Sequence, residues 1–252
     1  MRTMEHWRGR VALVTGASSG IGRAVATTLA ADGLRVALAA RRADRLAALE
    51  QELRARGGDA VAIPTDLRTE ADILALFRRV RESWGGVDVL VNNGGLGRRA
   101  PLMSADTALW REMIDVNLLA LCICTREAIR DMQSRGVGGY IIHISSMAGH
   151  RVPPGSGVYA ATKFAVRALT EALRQELRAA DCPIRVTAIS PGYVETEFAA
   201  VYDQSEEAAR KTYSRLKALE PGDIAQAVTY VLSQPAHVQV HDILLRPREQ
   251  AN

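Results

Sequence analysis

Tyr159 and Lys163 stand four residues apart in a segment, Val158–Ala180, whose apolar spacing predicts a helix, so a phenol and an ammonium share one helix face. A free tyrosine titrates near about 10 and is protonated at neutral pH; a neighbouring cation favours the phenolate and draws that value toward the working range. Such a pair can give a proton to, or take one from, an alcohol or carbonyl oxygen. By itself it is equally an ordinary helix-surface pair, but lysine is scarce in this chain, Lys163, Lys211 and Lys217 being the only ones. Thirteen residues before the tyrosine, Ser146 follows a β-like run within Ile144-Ser145-Ser146-Met147-Ala148-Gly149, where a hydroxyl can hydrogen-bond a substrate oxygen as charge develops on it. Asn117, an amide among Val116, Leu118 and Leu119, needs a partner, either a water in a proton relay or nearby backbone.

A second set of residues suits a phosphate-bearing ligand. The first β-like run ends in Gly16-Ala17-Ser18-Ser19-Gly20-Ile21-Gly22 and passes at once into a helical pattern. Glycines there let backbone approach a pyrophosphate, whose charge meets the amides and dipole of the helix start. The Gly-x-x-x-Gly-x-Gly spacing differs from the commoner Gly-x-Gly-x-x-Gly fingerprint. About 20 residues further on, where an acidic residue would hold a ribose hydroxyl, the second strand ends in Arg41-Arg42. Guanidinium forks match a 2′-phosphate, which points to NADP(H), with Arg41 favoured because it is nearer the strand end; the alternative is a solvated arginine pair opening a helix. Asp66, with Leu67 beside it, can accept a hydrogen bond from an adenine amino group or cap the following helix. Asn93-Gly94-Gly95 forms a turn at the tip of the fourth strand. Pro191-Gly192-Tyr193-Val194-Glu195-Thr196 follows the sixth and can close over a nicotinamide, its threonine hydroxyl fixing the carboxamide, or can simply be a turn. The histidines, His6, His143, His150, His237 and His241, make no helical pair with metal-ligand spacing, so no metal site is expected. His150 and Arg151 lie between Ser146 and Tyr159, facing either substrate or solvent.

These residues need a scaffold that brings strand ends together. Strands are expected at Val11–Thr15, Arg35–Ala39, Ala60–Pro64, Val87–Asn92, Tyr140–Ile144, Ile184–Ile189 and Asp242–Leu245. Helices are expected near Ile21–Ala31, Asp44–Arg56, Glu70–Trp84, Thr107–Ser134, Val158–Ala180 and Pro221–Ser233. This alternation predicts an α/β fold: a doubly wound, Rossmann-type parallel sheet of about seven strands with helices on both faces. Such sheets bind ligands at the carboxyl ends of their strands, where the motifs cluster. The 252 residues read as a single domain over 1–252, with the charged segment from about 194 to 219 either a flexible lid or a surface helix.

Composition narrows the classes of function. A hydrophobic fraction of 48% is ordinary, and the longest apolar run, Leu118–Cys124, is too short for a membrane span. The first ten residues lack the apolar stretch of a secretory signal, which makes a cytoplasmic location the expectation. The net charge of +4 is spread among acids, which argues against nucleic acid as a partner. Cys122, Cys124 and Cys182 lack redox or zinc spacing and read as reduced packing residues.

Together the motifs resemble the short-chain dehydrogenase/reductase family, in its short single-domain branch, over essentially the whole chain. The resemblance implies an NADP(H)-dependent oxidoreductase moving a hydride between nicotinamide and an alcohol or carbonyl carbon. It implies that Asn117, Ser146, Tyr159 and Lys163 form a catalytic tetrad. Gly16, Gly20 and Gly22 would make the pyrophosphate turn, Arg41 would take the 2′-phosphate, Asp66 and Asn93 the adenosine half, and Thr196 the nicotinamide amide. It further implies a homo-oligomer, dimer or tetramer, built on the two long helices. One departure is Gly94, where the family's usual Asn-Asn-Ala-Gly has alanine; the lost methyl is expected to loosen that turn. Met4–Arg8, Ile144–Val152 and Ser233–Val240 are similar to the subgroup of animal dehydrogenase/reductase member eleven and insect farnesol dehydrogenase, which act on ketosteroids, dicarbonyls or isoprenoid alcohols. A neighbouring group, the NADP-dependent 3-hydroxy acid dehydrogenases, shares a similar tail. A non-catalytic NADP sensor on the same fold is the alternative from another class.

Overall fold

The computed structural model describes residues 4–203, 205, 207, 210, 213, 214 and 216–250. Seven parallel strands form one sheet: β1 (Val11–Thr15), β2 (Arg35–Ala40), β3 (Asp59–Pro64), β4 (Val89–Asn92), β5 (Tyr140–Ile144), β6 (Arg185–Pro191) and β7 (Asp242–Leu245). Their order is β3-β2-β1-β4-β5-β6-β7, so the chain winds outward from β1, returns, and winds out the other way from β4. The crevice between the tips of β1 and β4 is therefore the switch point of a doubly wound sheet. β1 and β5 are buried along their full length, as strands covered on both faces must be.

Two apolar layers cover the sheet. On one face α1 (Gly20–Ala31) and α2 (Ala43–Ala55) deliver Val25, Leu29, Leu46, Leu49 and Leu53 against Val14, Val36 and Leu38. The helix Pro221–Leu232, here α8, completes that layer with Ile224, Val228 and Val231. On the other face α3 (Glu70–Trp84), α5 (Ala120–Ser134) and α6 (Gly157–Ala179) deliver Ile73, Phe77, Ile123, Met132 and Leu173 against Leu13, Leu90 and Ile141. Two shorter helices are α4 (Thr107–Ile114) and α7 (Phe198–Asp203). No helix among the described residues is long and apolar enough to cross a membrane. Cys124 is buried and Cys122 and Cys182 partly so, all three as free thiols.

The expected helix Thr107–Ser134 is interrupted. Between α4 and α5 the backbone widens into a π turn over Asp115–Leu119, in which the Ala120 amide donates to the Asp115 carbonyl five residues back. β4 begins at Val89 instead of Val87: side chains take the Val87 backbone, its amide donating to Asp131 (2.6 Å) and its carbonyl accepting from Arg135, and the Val11 amide of β1 donates to the Asp88 carboxylate (2.9 Å). β6 runs on to Pro191, which puts that residue at the strand's end and Gly192 in the turn beyond it.

Candidate active site

A cavity of about 650 Å³ opens at the carboxyl ends of the strands, along the switch point. The candidate site residues named from the sequence line it except Gly22, Asn117 and His150. Gly22 packs the turn against itself: a Cβ there would sit 2.3 Å from the Gly16 carbonyl oxygen, so this close approach of helix α1 to the turn admits only glycine. Gly20 has φ +52 and lies under Thr196, whose methyl would be 2.9 Å from an added Cβ.

The β4 tip is fastened to β1. Thr15 Oγ1 accepts from the amides of Asn93 (3.0 Å) and Gly94 (2.9 Å), while Asn93 Nδ2 donates to the Thr15 carbonyl (2.9 Å). The methyl missing at Gly94 leaves no void, because a Cβ would fall 2.4 Å from Leu67 Cδ1. The turn is thus filled by Leu67 and held by three hydrogen bonds, not loosened.

Arg41 and Arg42 both line the cavity, and it is Arg42 that carries the contacts. Its Nε and Nη2 donate to Ser18 Oγ at 3.1 and 3.0 Å, and Nη2 also donates to Ser19 Oγ at 2.6 Å. Its Nη1 pairs with Glu197 at 2.8 Å, and Arg45 pairs with the other oxygen of Glu197 at 2.6 Å. Both arginines hold the Glu197 carboxyl below the usual range. Asp66 does not cap α3, whose N-cap position is Thr69; its carboxylate accepts from the Arg68 amide (3.0 Å) and guanidinium, chiefly the latter lowering its pKa. Thr196 Oγ1 accepts from the Phe198 amide at 3.2 Å where α7 begins.

Tyr159 and Lys163 lie in the first turns of α6, both buried. Ser146 lines the same cavity as Tyr159, and its Oγ accepts from the Ala148 amide at 3.0 Å, the cap that turns the chain after β5. Lys163 Nζ donates to the Ile144 carbonyl at 2.9 Å and lies 5.9 Å from the centroid of the Tyr159 ring. The ring is walled by Phe198 (5.5 Å) and Tyr202 (6.0 Å).

The electrostatics differ from the expectation that Lys163 draws the phenol down. Burial dominates, pushing Tyr159 up to about 12 against the opposing Ser146 hydrogen bond, and bringing Lys163 down to about 8. The physical reason is that the ammonium, itself desolvated, spends its short contact on the Ile144 carbonyl and not on the phenol.

Asn117 uses its side chain on backbone. Its Oδ1 accepts from the Leu96 amide and its Nδ2 donates to the Leu96 carbonyl, both at 2.8 Å, with a further bond from Nδ2 to Thr162 Oγ1 at 3.1 Å. Both amide hydrogens are consumed, so of the two partners expected from sequence it is backbone that the side chain serves. Thr162 in turn donates to the Tyr159 carbonyl (2.7 Å), which ties the π turn to the start of α6. Of the loop pair, His150 turns from the cavity, its Nε2 lying 3.1 Å from the Asp242 carboxylate. Arg151 lines the cavity, and its buried Nε has no hydrogen-bond partner among the described residues.

The sequence reading missed Thr15, Arg45, Glu197 and the aromatic wall of Phe198 and Tyr202. For Glu197 the one available signal was an acid beside Thr196 in a loop already assigned to the site. The expected lid over 194–219 is described in part: Val194 bridges to Leu219 and α7 faces Tyr159, while 204, 206, 208, 209, 211, 212 and 215 lie outside the described residues.

One cavity thus runs from a pair of arginines past a glycine turn to a buried tyrosine and lysine, a lining that fits a nicotinamide dinucleotide: amides and cations at the phosphates, a proton-transfer group at the far end. The sequence profile of the short chain dehydrogenase family matches residues 10–207. The chain belongs to the short-chain dehydrogenase/reductase family. Dehydrogenase/reductase SDR family member 11 of Bos taurus is 53% identical, covering 98% of this chain and 99% of its own. Farnesol dehydrogenase of Aedes aegypti is 43% identical over 97% of this chain and 98% of its own. Among solved structures, the closed form of a serine dehydrogenase complexed with NADP+ superposes with a TM-score of 0.89 at 36% identity, covering 96% of both chains. The chain is accordingly a short-chain dehydrogenase/reductase of the subgroup similar to member 11 and farnesol dehydrogenase, an oxidoreductase acting on CH–OH groups with a nicotinamide cofactor.

Proposed function

We propose that this enzyme interconverts an alcohol and a carbonyl with NADP(H), Tyr159 acting as the general acid and base. The observation that carries the reading is the buried Tyr159, backed by Lys163 and sharing one cavity with Ser146, the glycine turn and the arginines. A bound nicotinamide supplies the hydride in reduction and takes it up in oxidation. Gly16, Ser18, Ser19, Gly20 and Ile21 offer the pyrophosphate their turn, Arg42 and Arg41 the 2′-phosphate their charge, and Asn93 and Gly95 a close backbone wall to the nucleoside. Gly192, Val194 and Thr196 face the carboxamide end. Ser146 orients the substrate oxygen, and Tyr159 transfers the proton. Burial keeps the phenol protonated at neutral pH, the form that carbonyl reduction consumes. The Ser146 hydroxyl opposes that burial when the reaction needs the phenolate. Asn117 holds Leu96 and, through Thr162, the tyrosine's turn of helix in place.

The substrate end is apolar and aromatic, with Leu96, Tyr193, Phe198, Val201 and Tyr202 on its walls. That lining supports ketones, ketosteroids, dicarbonyls or isoprenoid alcohols, the last in keeping with a relative named farnesol dehydrogenase. Arg151, whose buried Nε has no hydrogen-bond partner among the described residues, supports a second reading, a 3-hydroxy acid dehydrogenase in which that cation takes the substrate carboxylate. We read residues 1–252 as one catalytic unit with 194–219 as its lid. Its exposed Ile114, Leu119 and Phe164, on α4, the π turn and α6, support a homo-oligomer, dimer or tetramer; a monomer mass by light scattering removes that assignment.

Following NADPH oxidation over a panel of ketones, dicarbonyls, isoprenoid aldehydes and 3-oxo acids tests the reading. Turnover on the neutral carbonyls is expected; turnover confined to the acids selects the second reading, and none on any member points to a non-catalytic NADP sensor.

A further inference from the structure

The Arg42–Glu197–Arg45 cluster has more to it than a surface ion pair. Glu197 comes from the loop after β6, and the two arginines from the start of α2, more than 150 residues away in the chain. Each carboxylate oxygen is taken by a different guanidinium, at 2.8 Å from Arg42 and 2.6 Å from Arg45. The same Arg42 fork rests on Ser18 and Ser19, the hydroxyl residues of the phosphate turn, so the carboxylate sits at the rim of the cavity where a 2′-phosphate would meet arginine. Glu197 is also flanked by functional contacts: Thr196 lies over Gly20, and Phe198 packs on Tyr159.

We propose that Glu197 is an internal stand-in for the 2′-phosphate of the cofactor: its carboxylate occupies the arginine site formed by Arg42 and Arg45, and sets how strongly the enzyme prefers a 2′-phosphate over a 2′-hydroxyl. This rests on the NADP(H) reading above. Two guanidinium groups form a good site for one small anion and a poor place for two, so phosphate binding requires the carboxylate to leave. With a 2′-hydroxyl ligand the carboxylate stays, the arginines remain neutralised, and the site tolerates the cofactor lacking the phosphate. Arg45 becomes a further cation of the phosphate site, beside Arg42 and Arg41. All three groups are partly exposed, so the competition is modest, about three- to tenfold in affinity.

The test is calorimetric titration at low salt with two cofactor fragments, adenosine 2′,5′-bisphosphate and ADP, which needs no turnover. Glu197→Gln is expected to tighten the bisphosphate about three- to tenfold and to leave ADP within about twofold of wild type. Arg45→Gln is expected to weaken the bisphosphate by a similar factor and spare ADP. If Glu197→Gln leaves the bisphosphate unchanged, weakens it, or moves both ligands together, the stand-in role is overturned. An unchanged bisphosphate affinity in Arg45→Gln overturns the assignment of Arg45. A wild type that binds the bisphosphate no better than ADP would instead overturn the NADP(H) reading itself, so the two failures are distinct.

Discussion

Lowering the pH from about 7.5 to about 4.5 asks His143 to take a proton for which the fold has no place. The imidazole is fully buried beneath the site, in β5, between hydroxyls of α5 and α6. The direction of each hydrogen bond can be assigned from its neighbours. Thr170 Oγ1 gives its hydrogen to the Val166 carbonyl (2.7 Å), so toward His143 Nδ1, 2.9 Å away, it accepts. Nδ1 therefore carries the ring's hydrogen, and Nε2 accepts from Thr125 Oγ1 (3.1 Å), which itself accepts from Asn92 Nδ2 (2.9 Å). The chain is complete with a neutral ring, and a second ring proton would meet the Thr125 hydrogen head-on. Burial, with a smaller repulsion from Lys163, brings the imidazole down from 6.5 to about 3.

A folded-state pKa below the unfolded value means that the unfolded chain binds the extra proton first, so stability is present above about 6.5 and lost as pH falls toward about 3. Across the two units from about 6.5 to about 4.5, at about 1.36 kcal/mol per unit, this group removes on the order of 2.7 kcal/mol, a large share of a typical stability of about 5–15 kcal/mol. His143→Gln supplies an amide donor and a carbonyl acceptor without a titrating group. Its fixed cost in packing is the same at both pH values, so the comparison isolates the proton. Urea unfolding at constant protein concentration should show the wild type losing about 2–3 kcal/mol more than His143→Gln over that interval. Parallel losses in the two proteins would refute the neutral, buried assignment.

The two glycines of the cofactor turn should behave oppositely when given a methyl. In Gly22→Ala the methyl meets the Gly16 carbonyl at 2.3 Å and Asn93 Nδ2 at 2.5 Å, both fixed, so nucleotide binding should be lost and stability reduced by about 1–3 kcal/mol. In Gly94→Ala the one contact under 3.0 Å is with the swinging end of Leu67, so thermal unfolding should move by less than about 1 kcal/mol; equal damage in the two variants would contradict this packing account. Asn117→Ala strips both hydrogen bonds from the Leu96 backbone and should cost about 2–4 kcal/mol in urea unfolding, whereas a loss below about 1 kcal/mol would show that the loop is held by other contacts.

The fold was legible because its strands are apolar nearly end to end. β1, β5 and β7 have the bounds expected from composition alone, and the glycine turn and the Tyr159–Lys163 pair fall on the strand ends that the alternation of elements requires. What could not be read depends on contacts distant in the chain. The break in the helix after Ile114 accompanies Asn117 reaching Leu96, 21 residues back, and no local propensity announces it. Glu197 looks like a solvated loop acid until α2 places Arg42 and Arg45 beneath it. Spacing put an ammonium near a phenol correctly, but the balance between charge and burial at Tyr159 is set by Phe198, Tyr202 and the surrounding core, which spacing does not encode. The contacts of Arg42 are hidden for the same kind of reason, since the serines that orient it belong to another strand's turn.

The most direct measurement of the account's central claim is steady-state turnover together with cofactor affinity in Tyr159→Phe, a change that removes one oxygen and keeps the ring between Phe198 and Lys163. Loss of the proton donor should lower kcat by about 10² to 10⁴ while the Kd for NADPH stays within about twofold of wild type. A variant that keeps wild-type kcat would contradict the assignment of proton transfer to Tyr159.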